Sequence, residues 1–188
     1  MLYPLPIITA SLVYLIRIAE VGRKRETIPG RIFETLTLRL FVLIGTLTVA
    51  GSIIEYVARG GGFSWNAFAI GLLCAAVSFK LRWAAIDALG KFWSLHVEIR
   101  DNHQLVKTGP FRFLRHPVYL SMVLELIAFI LICSAWGMLL IVPILFIPVM
   151  MMRLRLEEPA MVEKFGDAYR DYQRRVPMLI PYKWPLAK

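Results

Sequence analysis

The densest run of reactive side chains is Arg115-His116-Pro117-Val118-Tyr119. Pro117 suits the first turn of a helix, because its missing N–H would lack a partner there anyway. Arg115 and His116 therefore stand at a helix N-terminus, where free backbone N–H groups and the helix dipole favour a carboxylate or another anion. Tyr119 follows His116 by three residues, one turn further in. The same three residue types also anchor helices at lipid headgroups, so taken alone the run reads either way. A second run is Arg153-Leu154-Arg155-Leu156-Glu157-Glu158. Arg153 and Glu157 share a helix face, and Glu158 points about 100° away from Glu157. On a soluble helix this would be a surface ion pair of small worth. On a helix leaving a bilayer, charge facing lipid is costly, and adjacent acids are expected to face a polar cavity. Glu125 lies inside an apolar run, where an acid is either a functional group or a hydrogen-bond partner to a neighbouring helix.

The elements that must position these groups are apolar and long. Five apolar segments run from about residues 5 to 19, 36 to 57, 65 to 85, 118 to 133 and 136 to 152. A hydrocarbon core of roughly 30 Å needs about 20 residues of helix, and the first segment is short for that. Ser134 and Ala135 separate the last two segments, which predicts a tight helical hairpin over 118–152. Pro143 and Pro148 predict kinks in its second arm. Beyond it, Met161, Val162 and Phe165 give an amphipathic pattern that Gly166 interrupts and Tyr169 and Tyr172 resume, until Pro177.

The expectation is an all-α polytopic membrane protein: one domain of about five transmembrane helices with a cytoplasmic cofactor-binding region. Within it, residues 1–86 form a three-helix part, and 87–188 form a catalytic region ending in a cytoplasmic segment, 153–188. Composition agrees: 58% of residues are hydrophobic, 19% are charged, and mean hydropathy is +0.62. A soluble domain is typically 45–50% apolar. Basic residues set the orientation. In the five-span layout 21 of the 22 fall on one side and Arg59 alone on the other. That predicts an inner-membrane protein with its N-terminus outside and its C-terminus and active site in the cytoplasm. The net charge of +9 then reports cytoplasmic loops and anionic lipid rather than nucleic acid. Cys74 and Cys133 sit in apolar runs without a CxxC pair and read as buried hydrophobes; no metal constellation is visible. The first apolar run ends in Arg and Glu, without a small-residue cleavage site, so no signal peptide is expected.

Several stretches, in order, resemble the isoprenylcysteine carboxyl methyltransferase family and its relatives among the phospholipid N-methyltransferases. They are LGKFWS at 89–94, HQLVKTGPFRFLRHPVY at 103–119, EE at 157–158, FGDAYRDY at 165–172 and VPMLIP at 176–181. Phe111 stands where Tyr is common, Ser121 where Gly is frequent, and His96 where the carboxyl methyltransferases have Gln. The resemblance implies a multi-spanning S-adenosyl-L-methionine-dependent methyltransferase with a lipophilic, membrane-embedded acceptor, a carboxylate first. It implies that His103, Gln104, Leu105 and Val106 wrap the cofactor, with His96, Gly109 and Phe111 beside them. His116, Pro117, Val118 and Tyr119 would line its pocket, and Glu157 and Glu158 would hold it. Arg153 would face the acceptor, His116 would serve as the second catalytic group, and Glu125 would be a further substrate contact. The alternatives are N-methylation of a lipid amine, an NADPH-dependent sterol or isoprenoid reductase sharing the RHPxY run, and a non-catalytic membrane scaffold. Membrane lipids and the acceptor are the expected partners.

Overall fold

The computed structural model describes residues 3–22, 30–94, 97–100 and 104–183. Among these residues six α-helices carry the fold: α1 (Leu5–Val21), α2 (Leu36–Ala58), α3 (Trp65–Leu89), α4 (Pro117–Cys133), α5 (Met138–Phe165) and α6 (Asp167–Arg175). The all-helical membrane class holds, with one addition. Two short strands, β1 (Gly30–Glu34) and β2 (Val97–Arg100), pair antiparallel with Gly30 opposite Arg100 and Ile32 opposite Glu98. Helices α2, α3 and α5 are long and apolar enough to cross a membrane. Helices α1 and α4 have 17 residues each, about 25 Å at 1.5 Å per residue. Among the described residues three helices are thus long enough to cross, which does not confirm the count of about five. Helix α5 stays continuous through Pro143 and Pro148.

The chain forms two compact units. The first comprises Met1–Lys24, Leu40–Ser78 and Met122–Pro148. Its helices are apolar on every side, the signature of burial or a membrane span. Inward, Phe41 meets Phe146 with ring centroids 5.3 Å apart, and Tyr14 meets Phe129 edge-on at 6.4 Å. Outward, Ile54, Leu73, Leu140 and Ile144 lie exposed, which suits hydrocarbon. Gly71 lets α3 and α4 close up: a Cβ there would stand 2.9 Å from the Ile132 backbone nitrogen. The turn between α4 and α5 passes through Ser134, whose φ of 52° is left-handed. Its hydroxyl accepts from the Ser64 N–H (3.0 Å), and its carbonyl accepts from Arg59. Glu55, near the end of α2, accepts from the N–H groups of Gly137 (3.0 Å) and Met138 (3.3 Å) where α5 begins. That is where a carboxylate best meets unpaired donors and the helix dipole.

A charged cluster lies buried in the same unit. Arg17 Nε donates to both Glu125 oxygens (2.8 and 2.6 Å), and Nη1 donates to Glu20 (2.6 Å). Arg17 Nη2 reaches Ser78 Oγ at 3.5 Å. Counted from sequence with the basic loop, Arg17 instead lies within α1 and is buried.

The second unit comprises Arg25–Arg39, Phe79–Ser121 and Val149–Lys188. Its α6 is a short amphipathic helix whose Tyr169 and Tyr172 pack with Val176 against Leu105, Met161, Val162 and Phe165. Gly166, with φ 55°, makes the corner between α5 and α6. After α6, the carbonyls of Pro177 and Met178 accept from the backbone N–H groups of Arg115 (2.9 Å) and His116 (3.1 Å). These bonds seat the chain leading into α4, and Tyr172 adds a hydroxyl bond to the Phe111 carbonyl (2.6 Å).

Candidate active site

The second unit gathers the two runs of reactive side chains. Helix α4 contributes Tyr119, with Arg115 and His116 just ahead of it, and α5 contributes Arg153, Glu157 and Glu158. His116 Nε2 lies 2.6 Å from Glu158 Oε1, and Nδ1 lies 3.6 Å from Glu157 Oε2. The Tyr119 hydroxyl donates to Glu157, and its ring stacks on the His116 imidazole at 5.5 Å between centroids. Arg153 Nε donates to the Tyr119 hydroxyl (2.8 Å) and to Glu157 Oε1 (3.1 Å), and Nη1 donates to Thr37 Oγ1 (3.2 Å). The Arg153–Glu157 pair expected from i,i+4 spacing is thus present, but buried and shared with a phenol.

The two acids differ. Glu158 accepts from Arg115, His116, the Tyr169 hydroxyl (3.0 Å) and Gln173 Nε2 (2.5 Å). The Glu157 side chain is 22% exposed against 13% for Glu158. Glu157 Oε1 takes both Tyr119 and Arg153, while Oε2 meets among the described residues only the longer approach of His116. Burial, and next the Glu158 carboxylate, push the Tyr169 phenol well above its usual range; burial does the same to Tyr172. Both phenols therefore stay neutral donors at any physiological pH.

Among the other residues expected in the site, Gln104 is exposed, Val106 is half-buried, and Leu105 packs against the α6 tyrosines. Gly109 has φ 57° and would place a Cβ 3.3 Å from that of Ala88. Phe111 is buried, its carbonyl engaged by Tyr172. Pro117 and Val118 open α4, where the Val118 carbonyl accepts from Ser121 (2.6 Å). His96 and His103 lie outside the described residues. Glu125 belongs to the first unit, with Arg17 as its partner. Sequence reasoning missed Thr37, Gln173 and the linking role of Tyr169. The Tyr169 and Tyr172 periodicity marked a buried face of α6, but nothing marked Gln173, one turn beyond Tyr169.

A helical membrane protein with a half-buried cluster of two carboxylates, an imidazole, two guanidiniums and two phenols is the class that fold and site define. The chain belongs to the isoprenylcysteine carboxyl methyltransferase (ICMT) family, whose model matches residues 69–163, half of the chain. It is 29% identical over 115 residues to a protein-S-isoprenylcysteine O-methyltransferase of Schizosaccharomyces pombe, covering 60% of this chain and 48% of that protein. It is 28% identical over 142 residues to protein-S-isoprenylcysteine O-methyltransferase B of Arabidopsis thaliana, 70% of each. It is 34% identical over 73 residues to methanethiol S-methyltransferase 1 of Bradyrhizobium diazoefficiens, 39% of this chain and 25% of that protein. The chain spans about half the length of most of the curated relatives it matches.

Proposed function

We propose that this integral membrane protein is a methyltransferase that uses S-adenosyl-L-methionine to methylate a lipophilic acceptor, with a carboxylate as the leading acceptor. Family membership supports the reaction type, as do relatives named for O- and S-methyl transfer. The observation that carries the reading is Glu157. It is a partly exposed carboxylate with one oxygen tied down by Tyr119 and Arg153 and the other 3.6 Å from His116 Nδ1. A carboxylate held this way fits the ammonium of the cofactor's amino-acid end.

S-adenosyl-L-methionine, when bound, supplies a methyl group on a positively charged sulfur. The protein's contribution is positioning, which can be worth about 7–11 kcal/mol. Tyr119 and Arg153 fix the Glu157 rotamer, so the ammonium site is built before the cofactor arrives. An ionised acceptor carboxylate has no proton to lose and asks no general base of the site. Arg153, which donates to Tyr119, Glu157 and Thr37, would be the guanidinium that orients such a carboxylate through a charge-assisted contact. The apolar surfaces of α2, α3 and α5 suit an acceptor that partitions into lipid. The test is incubation of the protein in membranes with methyl-labelled S-adenosylmethionine, followed by lipid extraction. Base-labile label in the lipid fraction is expected, as a methyl ester. Base-stable label would point to an amine or thiol acceptor, and no label would contradict methyl transfer to lipid.

A further inference from the structure

We propose that Glu158 is a positioning residue and not a cofactor ligand: it fixes the His116 imidazole with hydrogen on Nε2 and Nδ1 turned toward Glu157, and α6 holds it in place. The consequence for turnover rests on the methyltransferase reading; the His116 geometry stands apart from it.

An ionised carboxylate only accepts, through about four lone-pair sites on two oxygens. Glu158 receives four donors: the Arg115 guanidinium and Gln173 on Oε2, and His116 Nε2 and the Tyr169 hydroxyl on Oε1. It has no acceptor capacity left for an incoming ammonium. Glu157, one residue earlier, is 22% exposed, and its Oε2 meets among the described residues only the 3.6 Å approach of His116 Nδ1. Because Glu158 accepts, His116 Nε2 must carry the hydrogen in the 2.6 Å contact, and the ring is oriented as a carboxylate orients an imidazole in hydrolytic triads. Nδ1 is thereby the nitrogen on the Glu157 side, 3.6 Å from Oε2. Two of the four donors, Tyr169 and Gln173, are four residues apart on one face of α6. The carbonyls that follow α6 also accept from the backbone of Arg115 and His116. The tail therefore holds both the ring and the carboxylate that aims it.

The test uses the full-length protein in detergent micelles. Histidine is labelled with nitrogen-15, and the His116 signal is identified by its loss in His116→Gln. At a pH above the ordinary imidazole range, long-range nitrogen–proton correlations should show hydrogen on Nε2 in the parent protein and a mixture of tautomers in Glu158→Gln. Calorimetry with S-adenosylhomocysteine should show unchanged affinity in Glu158→Gln, against a loss of about tenfold in Glu157→Gln. Should Glu158→Gln fail to fold, Tyr169→Phe, which removes one hydroxyl, should partly mix the tautomers, lowering kcat while leaving the cofactor KM unchanged. Hydrogen on Nδ1 in the parent protein, or equal loss of affinity at both acids, would overturn the proposal. If the parent protein bound no S-adenosylhomocysteine, the methyltransferase reading would fall, and the tautomer result would still decide the role of Glu158.

Discussion

Glu157 and Glu158 are neighbours in sequence and opposites in environment. Glu157 is 22% exposed with only a 3.6 Å approach to its Oε2 among the described residues; Glu158 is saturated by four donors. The sequence placed both acids at a helix exit and predicted a polar surround, because helix geometry and the cost of bare charge are local arguments. It could not divide their roles, since Tyr169 and Gln173 reach Glu158 from a separate helix. Arg17 and Glu125 show the same limit. Arg17 closes one apolar run and Glu125 lies inside another, and a separation of 108 positions hides the pairing that the fold makes. Replacing Arg17 by Leu strands the Glu125 carboxylate, at an expected cost of about 3–5 kcal/mol. The double replacement with Glu125→Leu removes that stranded charge but leaves Glu20, the second carboxylate that Arg17 holds, so it should recover part of the loss. Thermal unfolding in detergent compares the three proteins, and an additive double variant would show that the pair is not coupled.

Helix α6 and the loop ahead of α4 set the site at the scale of elements. Gly109 combines a φ of 57° with a close approach to Ala88. Gly109→Ala should therefore destabilise the protein by about 1–3 kcal/mol, whereas Gly60→Ala tests the left-handed φ without the contact. Tyr169 and Tyr172 bring a pH dependence with a definite sign. Burial raises their folded-state pKa values above the ordinary phenol range. Their contribution is complete below the unfolded-state pKa of about 10. It declines as pH rises from there toward the folded values, because only the unfolded chain releases these protons. Alkaline unfolding monitored by tyrosinate absorbance should lose one cooperative step in the double Tyr→Phe variant. The amphipathic period made α6 legible, and Gly166 marked its start. The β1–β2 pair was not legible: strands of five and four residues, more than sixty residues apart, carry too little alternation to register.

For the whole molecule, composition and apolar run lengths settle membrane insertion, and they match three helices long enough to cross. Span number is harder to read, because helices of 17 residues fall at the edge of bilayer thickness. Orientation follows in our proposal from the basic residues, 21 of 22 on one side of the five-span layout. A C-terminal fusion should accordingly fluoresce as a cytoplasmic reporter and stay inactive as a periplasmic one; the reverse pattern would refute that orientation. The central claim is that a cofactor carrying an ammonium group binds at Glu157. Isothermal titration of the detergent-purified protein with S-adenosylhomocysteine tests it most directly. Saturable heat in the parent protein, weakened about tenfold in Glu157→Gln by loss of a charge-assisted contact, is the predicted result. No heat at millimolar ligand, or equal binding by the two proteins, would contradict it.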